Sequence, residues 1–443
     1  MKSLSLSLFC TFSISLAANA EPPKKPGGSA EVSSSSFLSL SAVTEAVLAN
    51  NPAIKEARAK WEAMKQRVPQ AAAWDDLKVG ASTRLGRFVE ISRNGFTDQM
   101  LSVEQMIPLS GRNRSRERIA AAEALGAFEE VRRKELDGVA KARVAYFRLA
   151  RDYALLELNH ANASSLAQTV EISRAKLEVG NQGQAEVLIA ENEVNRLEEA
   201  RHDLMQSVSE DETQLKVLMN RDAFAALGRP GSLPSPVHDH FPVEQLRRMM
   251  LNNRPEVRSS AAGLTAATAK LELAKREWIP DPAVTVQAQR YNGAAQGISE
   301  VDAGVSFNVP WLNAKKYRAE TQEARSGVEA AQRALESARA EALGLLRDQL
   351  QKIETSHHHV ELFETRLMPN ARQTVQTNRT NYEGGRESFL DLVMSERNLR
   401  ELEAMYQQHL ADCQTAVAEL EALVGSDLGF FSAGRRVSKG EAK

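Results

Sequence analysis

Apolar positions follow two different periods along the chain. In the stretches 139–156 and 399–420, apolar residues recur three and four positions apart, which is the period of a helix that packs along one face. Aromatic residues make up only 5% of the chain, which favours long packed helices over an ordinary globular core. Cys413 lies on the second of these stripes, so we expect it to pack in a helix seam rather than to bind a ligand.

Shorter stretches follow the alternating period of a strand. In "VDAGVSFNV" (301–309) the odd positions are apolar and the even positions are polar or small, and "LKVGASTRL" (77–85) has nearly the same alternation. Alternation over about nine residues is typical of a strand in an outer-membrane barrel, with one side facing lipid and the other facing water. Taken alone, each stretch favours a water-soluble amphipathic hairpin.

The chain repeats itself at an offset of roughly 202 to 205 residues. "VLANNPAI" (47–54) aligns with "MLNNRPEV" (250–257), and "LKVLMNRD" (215–222) aligns with "LEALVGSD" (420–427). Between these anchors, "IPLSGRNRSR" (107–116) aligns with "VPWLNAKKYR" (309–318), so that Pro108 falls on Pro310. Matches in one common order indicate a tandem duplication.

Each half has the same predicted order of elements. A helix of about 35 residues leads through two strands into a helix of about 65 residues, and a glycine turn precedes a last helix of about 35 residues. The predicted long helices are 41–73, 113–178 and 185–219 in the first half and 242–277, 316–381 and 388–424 in the second. The fold class is therefore mainly α with a small β part. The predicted segments are 1–20 signal peptide, 21–37 flexible arm, 38–220 first repeat (strands near 77–85 and 98–107), 221–241 proline-rich linker, 242–425 second repeat (strands near 283–291 and 301–309), and 426–443 polar tail.

The N-terminal segment and the overall charge limit the possible locations and partners. Residues 1–20 combine a lysine, an apolar serine-rich stretch and Ala18-Asn19-Ala20, which is the pattern of a secretory signal peptide. After it, no stretch of about twenty apolar residues is present. The formal net charge of -2 in 443 residues gives no overall bias toward nucleic acid, so no nucleic-acid partner is predicted.

Four strands cannot close a barrel, because an open sheet leaves two unpaired edges. Three copies would supply twelve strands, an even number within the range known for outer-membrane barrels. Proline ends a strand ladder and suits the first turn of a helix. We therefore interpret Pro108 and Pro310 as the points where a β-tube is joined to an α-helical tube.

In combination, these motifs resemble the TolC-type outer-membrane efflux family, the outer membrane factors. The resemblance covers the two proline junctions, the "NP" and "RP" openings at Pro52 and Pro255, the turns "VGNQG" and "YEGGR", and the runs "AEVLIAE" and "LDLVMSE". Within the family, "EWIPDPAVTV" (277–286) and "LMPNARQT" (367–374) are most similar to the heavy-metal branch, which serves cobalt-zinc-cadmium or copper pumps.

The resemblance implies a tandem-repeat, TolC-like fold in which a coiled-coil helical barrel continues from a twelve-stranded trimeric transmembrane β-barrel. It implies a homotrimeric, passive exit duct in the outer membrane of a Gram-negative bacterium, in contact with outer-membrane lipid, with its helices in the periplasm. Its partners would be a periplasmic adaptor and an inner-membrane RND-type pump, and its cargo would be heavy-metal cations. No cofactor and no enzymatic activity are expected.

The resemblance also assigns residues to the periplasmic tip, where the duct opens. These are Gly180, Gly183, Tyr382, Gly384, Gly385 and Arg386, with Arg386 one place out of register. Asp391 matches an inward-facing acid, which in three copies would form a carboxylate ring that favours cations. The alternatives are an ordinary hairpin turn without a gating role and a solvated surface acid.

Two histidine clusters raise the question of metal binding. His357, His358 and His359 are consecutive on a predicted helix and point about 100° apart, so they cannot converge on one ion. His238 and His240 lie in the linker, and no catalytic arrangement stands out. The competing function is a periplasmic coiled-coil adaptor or scaffold of an export system, which would share the long helices and the signal peptide but usually lacks four regularly placed strands.

Overall fold

The computed structural model describes residues 37–85, 97–179, 183–235, 242–291, 297–386 and 388–425. Nine α-helices and four strands lie in these ranges. The helices are α1 Leu40–Asn50, α2 Pro52–Ala72, α3 Arg112–Glu178, α4 Gln184–Leu218, α5 Val243–Asn253, α6 Pro255–Arg276, α7 Ala314–Leu362, α8 Met368–Glu383 and α9 Phe389–Val424. The strands are β1 Lys78–Thr83, β2 Thr97–Met106, β3 Ala283–Tyr291 and β4 Glu300–Ser306. Within these ranges, no helix has both the length and the apolar character needed to cross a membrane.

The first helix of each half is divided in two, which corrects the prediction of continuous helices over 41–73 and 242–277. The breaks lie at Asn51 and Arg254, whose ψ angles are 124° and 123°, each immediately before a proline. A proline ring disfavours helical geometry at the residue before it, so the chain leaves the helix there and restarts at Pro52 or Pro255. The Asn51 side chain caps the restart by accepting hydrogen bonds from the backbone N–H groups of Ala53 and Ile54.

The long helix of the first half is continuous, whereas its counterpart is interrupted. Helix α3 has 67 residues, which corresponds to about 100 Å. In the second half, a π-helical turn at Phe363–Leu367 interrupts the α-helical hydrogen bonding between α7 and α8, but the backbone stays helical, so the predicted helix over 316–381 is present with a local distortion. Pro369 lies in the first turn of α8, where its missing N–H and its ring prevent regular α-helical bonding to Thr365.

The four strands form one antiparallel sheet in the order β1-β2-β3-β4. Strand β4 ends at Ser306, three residues before the predicted limit of 309. Strands β1 and β4 each pair with one neighbour, so both outer edges lack a strand partner among the described residues. The sheet is therefore open within one chain.

The two halves bury equivalent positions in separate helical cores. Val43, Val47 and Ile54 pack in the first core, together with α3 and α4 residues such as Leu149 and Leu215. The second core contains Leu246, Met250 and Val257, with residues from α7 and α9. In each half, the apolar residues on both sides of the proline break therefore pack a pair of short helices against long helices. The pairs are α1 with α2 and α5 with α6. Cys413 is buried in a smaller cluster with Val360 and Leu410, as the stripe on α9 predicts.

Candidate functional site

The sheet has one apolar and one polar face. In an antiparallel sheet, residues that stand opposite each other across neighbouring strands share a face. Rows across all four strands therefore follow from the register. One apolar row is Ala81, Leu101, Ala288 and Val301, and the next is Val79, Val103, Val286 and Ala303. The intervening row on the opposite face is Gly80, Ser102, Gln287 and Asp302.

Polar side chains on the second face bond to one another. The Lys78 ammonium lies 3.1 Å from a carboxylate oxygen of Glu104. The Gln289 amide donates to Asp302 at 2.7 Å and accepts from the Thr97 hydroxyl at 2.7 Å. These side chains satisfy their hydrogen bonds laterally, as is suitable for a face in contact with water.

The apolar face is exposed. Relative exposures are 66% for Val79, 51% for Leu101, 61% for Val301 and 66% for Val305. No helix or loop of the described residues covers these side chains. An exposed row of large aliphatic residues in a monomer indicates a surface that meets lipid or another protein.

The junction at Pro108 joins β2 to α3 through a network of polar contacts. Strand β2 ends at Met106, and α3 begins at Arg112. Buried Ser110 donates to both carboxylate oxygens of Asp281, from its backbone N–H at 2.7 Å and from its hydroxyl at 2.8 Å. Arg112 also approaches Asp281, at 3.6 Å. Asp281 was not singled out from the sequence, although its position in an Asp-Pro pair between a helix and a strand is a recognisable turn signal.

The second junction is built differently. Buried Pro310 opens a short 3-10 turn, Pro310–Asn313, and α7 starts at Ala314. Trp311 and Leu312 are exposed beside it, at 54% and 83%. The two aligned prolines therefore lie between a strand and a long helix, but the turns that follow them have different geometry.

At the tip, the turn after α8 is a Schellman motif. The backbone N–H of Arg386 donates to the carbonyl of Asn381 at 2.9 Å, and that of Gly385 donates to the carbonyl of Tyr382 at 3.1 Å. Gly385 has φ +70°, a conformation that favours glycine, whereas Gly384 is the helix cap with φ -79°.

The other predicted tip residues have distinct environments. Tyr382 is buried and packs on the Phe389 ring at 5.6 Å between ring centroids, while the Lys176 ammonium lies 3.8 Å from its ring centre. Arg386 is exposed. Gly183 precedes α4 in an extended conformation with φ -84°. Gly180 lies outside the described residues.

Asp391 is exposed in the first turn of α9 and takes part in capping that helix. The Ser388 hydroxyl oxygen accepts from the backbone N–H of Asp391 at 3.2 Å and lies 2.6 Å from a carboxylate oxygen of the same residue. A serine followed three residues later by an acid is a known signal of a helix start, so the sequence contained this feature. The carboxylate therefore has a local structural role within one chain.

An ionic cluster links α4 to α9 near the tip. Glu193 on α4 is buried, with a side-chain exposure of 7%, and pairs with Arg397 and, at 3.2 Å, with Arg400 of α9. Arg196 on α4 lies 3.1 Å from the same carboxylate. The α9 partners are more than 200 residues away in sequence, and nothing in the local pattern of either helix indicates the contact.

The histidines do not form a metal centre in the described part of the chain. His359 on α7 packs against His409 on α9 with the two rings tilted and their centroids 4.8 Å apart, and Phe363 of the π turn contacts the His409 ring. No group of three or more histidine, cysteine, aspartate or glutamate side chains among the described residues is arranged to hold a metal ion. His238 and His240 lie outside the described residues.

An open sheet with one exposed apolar face, continuous with helices of about 100 Å, defines a protomer of an outer-membrane channel with a long helical domain. The chain belongs to the outer membrane efflux protein family, whose model matches residues 43–221 and 246–426. The two matches fall on the two halves of the duplication. Membership confirms the family predicted from the motifs, locates the chain at the outer membrane, and distinguishes it from enzymes and from periplasmic adaptors.

The chain is also similar in sequence to an outer membrane protein of an efflux pump. It is 25% identical over 219 residues to the toluene efflux pump outer membrane protein TtgF of Pseudomonas putida, an alignment of 49% of this chain and 45% of TtgF. The chain thus matches about half the length of this curated relative.

Solved structures show the same fold at low sequence identity. The outer-membrane channel OprN superposes with a TM-score of 0.76 and 17% identity, over 88% of this chain and 90% of OprN. CusC, described in terms of transmembrane channel formation, superposes with a TM-score of 0.76 and 15% identity, over 89% of this chain and 94% of CusC. These likenesses establish the TolC-like fold.

Proposed function

We propose that this chain is one protomer of a homotrimeric exit duct, the outer-membrane part of a tripartite efflux system, which conducts its cargo passively to the cell exterior. The observation that carries the proposal is the sheet, whose aliphatic face is exposed and whose two outer strands are unpaired among the described residues. Hydrocarbon penalises each unsatisfied backbone N–H or C=O group by several kcal/mol. Sharing strands among three copies removes both edges and turns the aliphatic rows toward lipid.

The helices give the duct its length and its partners. Helices α3 and α4, and the corresponding α7 to α9, would extend the barrel into the periplasm as a second tube. The turn at Gly384 and Gly385 and the end of α3 would form its lower opening. A periplasmic adaptor would dock there and connect the duct to an inner-membrane RND-type pump. Support for these partners comes from the family and from the name of TtgF as the outer membrane protein of an efflux pump.

For the cargo, we propose heavy-metal cations. Two observations support this: the similarity of "EWIPDPAVTV" and "LMPNARQT" to the heavy-metal branch, and the acid at Asp391, which three copies would place around the opening. The name of TtgF favours an aromatic solvent as the second candidate. A deletion strain that becomes sensitive to toluene while its tolerance of zinc, cobalt, cadmium and copper is unchanged would contradict the metal proposal.

The proposed duct predicts a defined assembly with measurable conductance. Protein extracted from outer membranes should have the mass of three chains after correction for detergent and should conduct ions in planar lipid bilayers. A variant with Leu101→Arg and Val103→Arg tests the lipid face, because a charged side chain at the bilayer midplane costs about 2 to 4 kcal/mol. Its matched control, Ser102→Arg, changes the opposite face and should still insert. A water-soluble monomer without conductance would refute the duct.

A further inference from the structure

Helices α3, α4 and α9 line a polar cavity of about 330 Å³ that is open to solvent on one side. Asp152 on α3 and Asp211 on α4 lie on its wall. Asp152 is almost completely buried, with 1% exposure. A carboxylate in such a position needs a hydrogen-bond donor for each oxygen, because burial otherwise disfavours its charge.

Only one oxygen of Asp152 is satisfied by the described residues. Its Oδ1 accepts a hydrogen bond from Nε of Arg151 at 2.7 Å. Its Oδ2 is buried and receives no hydrogen bond from any of them. The neighbouring acid, Asp211, can supply a donor only when it carries a proton, because two ionised carboxylates are both acceptors.

The other charged groups that line the cavity do not neutralise the negative charge of its carboxylates. From α3, Arg148 and Arg151 face the cavity, and from α4, Glu210 does so. From α9, Asp412 faces the cavity. The side-chain amide N–H of Gln408 donates to Asp412 at 2.7 Å, and the side-chain carbonyl of Gln408 accepts from Arg151 at 2.8 Å. Four carboxyl groups therefore share the cavity with two guanidinium groups. Burial, followed by the charge of Asp152, raises the pKa of Asp211 from 3.8 to about 6, and burial raises the pKa of Asp152 as well.

We propose that Asp152 and Asp211 hold one proton between them, and that binding or release of this proton changes how tightly α4 packs against α3. With the proton bound, Asp211 donates to Oδ2 of Asp152 and the two helices share a hydrogen bond. Without it, two carboxylates repel each other across the same contact. The site is thus a proton-binding site in the helical domain, and it would respond to mild acidification of the periplasm.

The sign of the effect on stability follows from the direction of the pKa shift. Since the pKa of Asp211 is higher in the folded chain than in the unfolded chain, the folded state binds more protons between about pH 4 and pH 6. The contribution of the pair to stability is therefore complete below this window, decreases as the pH rises through it, and stays low above it.

The test uses the full-length protein in detergent and two readouts that do not depend on transport. Difference infrared spectra should show a carboxylic C=O band that titrates near pH 6 and is absent in Asp211→Asn. In the same variant, the asparagine amide donates permanently to Asp152, so the melting temperature at pH 7.5 should rise by a few degrees and lose its dependence on pH between 4 and 6.

A control variant, and a substitution of the other aspartate of the pair, test whether the effects come from the Asp152–Asp211 contact. Asp203→Asn changes an exposed acid on the same helix and should keep both the band and the pH dependence. Asp152→Asn should move the band to a lower pH without removing it, because Asp211 remains buried but loses its acidic neighbour. A band that persists in Asp211→Asn, or the same change of melting temperature with pH in Asp211→Asn and Asp203→Asn, would overturn the proposal. Neither result would bear on whether the protein is a channel.

Discussion

At the end of α8, a single glycine determines how the chain turns. Gly385 has φ +70°, and an added Cβ would meet no atom within 4 Å, so backbone conformation alone restricts this position. Gly183, at the corresponding turn of the first half, has φ -84° and equally open surroundings. The two predicted tip glycines therefore have different physical requirements, although the sequence motifs "VGNQG" and "YEGGR" make them look alike.

This difference predicts unequal effects of alanine. Gly385→Ala should destabilise the α8 turn by about 1 to 2 kcal/mol, because an L-residue is strained in the left-handed region. Gly183→Ala should be nearly neutral, since alanine adopts its extended backbone without strain. Hydrogen-deuterium exchange of the backbone around 380–386 checks this. Equal protection in both variants would mean that the turn does not depend on the left-handed residue.

Residue roles at the tip were only partly predictable from sequence. The capping of α9 by Ser388 is local and has a recognisable spacing, so it could have been found beside Asp391. The partners of Glu193 could not, because helix periodicity says which face of α4 is buried but not which distant residue meets it. The π turn was partly predictable. Pro369 indicates a local disturbance of the helix, but the sequence does not show that the disturbance is a π turn.

Helices α4 and α9 meet in few places, and one of them is the cluster around Glu193. Its carboxylate is nearly inaccessible and is shared by Arg397, Arg400 and Arg196. Removing its charge would leave the α9 arginines without an anion in a partly desolvated position. Together with the apolar packing of Ala190 near Phe389 and Leu392, the cluster holds the tip half of α4 to the second repeat.

Glu193→Gln is therefore expected to loosen α4 from α9. We expect a loss of about 1 to 3 kcal/mol, less than for a fully buried pair because Arg397 is partly exposed. Exchange of backbone hydrogens in 184–200 should become faster. Glu198→Gln is the matched control on the same helix, because its pair with Arg201 is exposed and screened by water and should contribute little to stability. Unchanged exchange in Glu193→Gln would show that α4 is held elsewhere.

The positions of the strands were predictable from the sequence, but their exact ends and their order in the sheet were not. Alternation at 301–309 correctly indicated a strand with one apolar side, but the strand stops at Ser306 because the chain must turn before Pro310. The order of the four strands depends on pairing between the halves, as in the contact of β2 with β3, and no single stretch encodes it. From the duplication, the sequence predicted a sheet of four strands with two open edges, but not the order of the strands.

At the scale of the whole molecule, the proposed trimer would be joined through the edge strands β1 and β4. In a closed barrel, β4 of one chain pairs with β1 of the next, whereas β2 and β3 pair within a chain. A short bifunctional thiol reagent can distinguish these contacts. Ala81→Cys combined with Val301→Cys, both in rows of the apolar face, should give covalent species of two and three chains. Val103→Cys with Val286→Cys, which stand opposite each other, should give only an internal link and serves as the control.

The cross-linking result depends on the lipid-driven closure and on no property of the helices. The variants would carry Cys413→Ser so that the buried native thiol cannot contribute. Because pairing across the new edge can be staggered by two residues without changing faces, Ala303→Cys and Val305→Cys should each be tried against Ala81→Cys. Efficient linking at one of these three positions, together with weak linking at the others, would define the stagger of the barrel. Monomers at every position, with the β2–β3 control fully linked, would show that the two edges never meet.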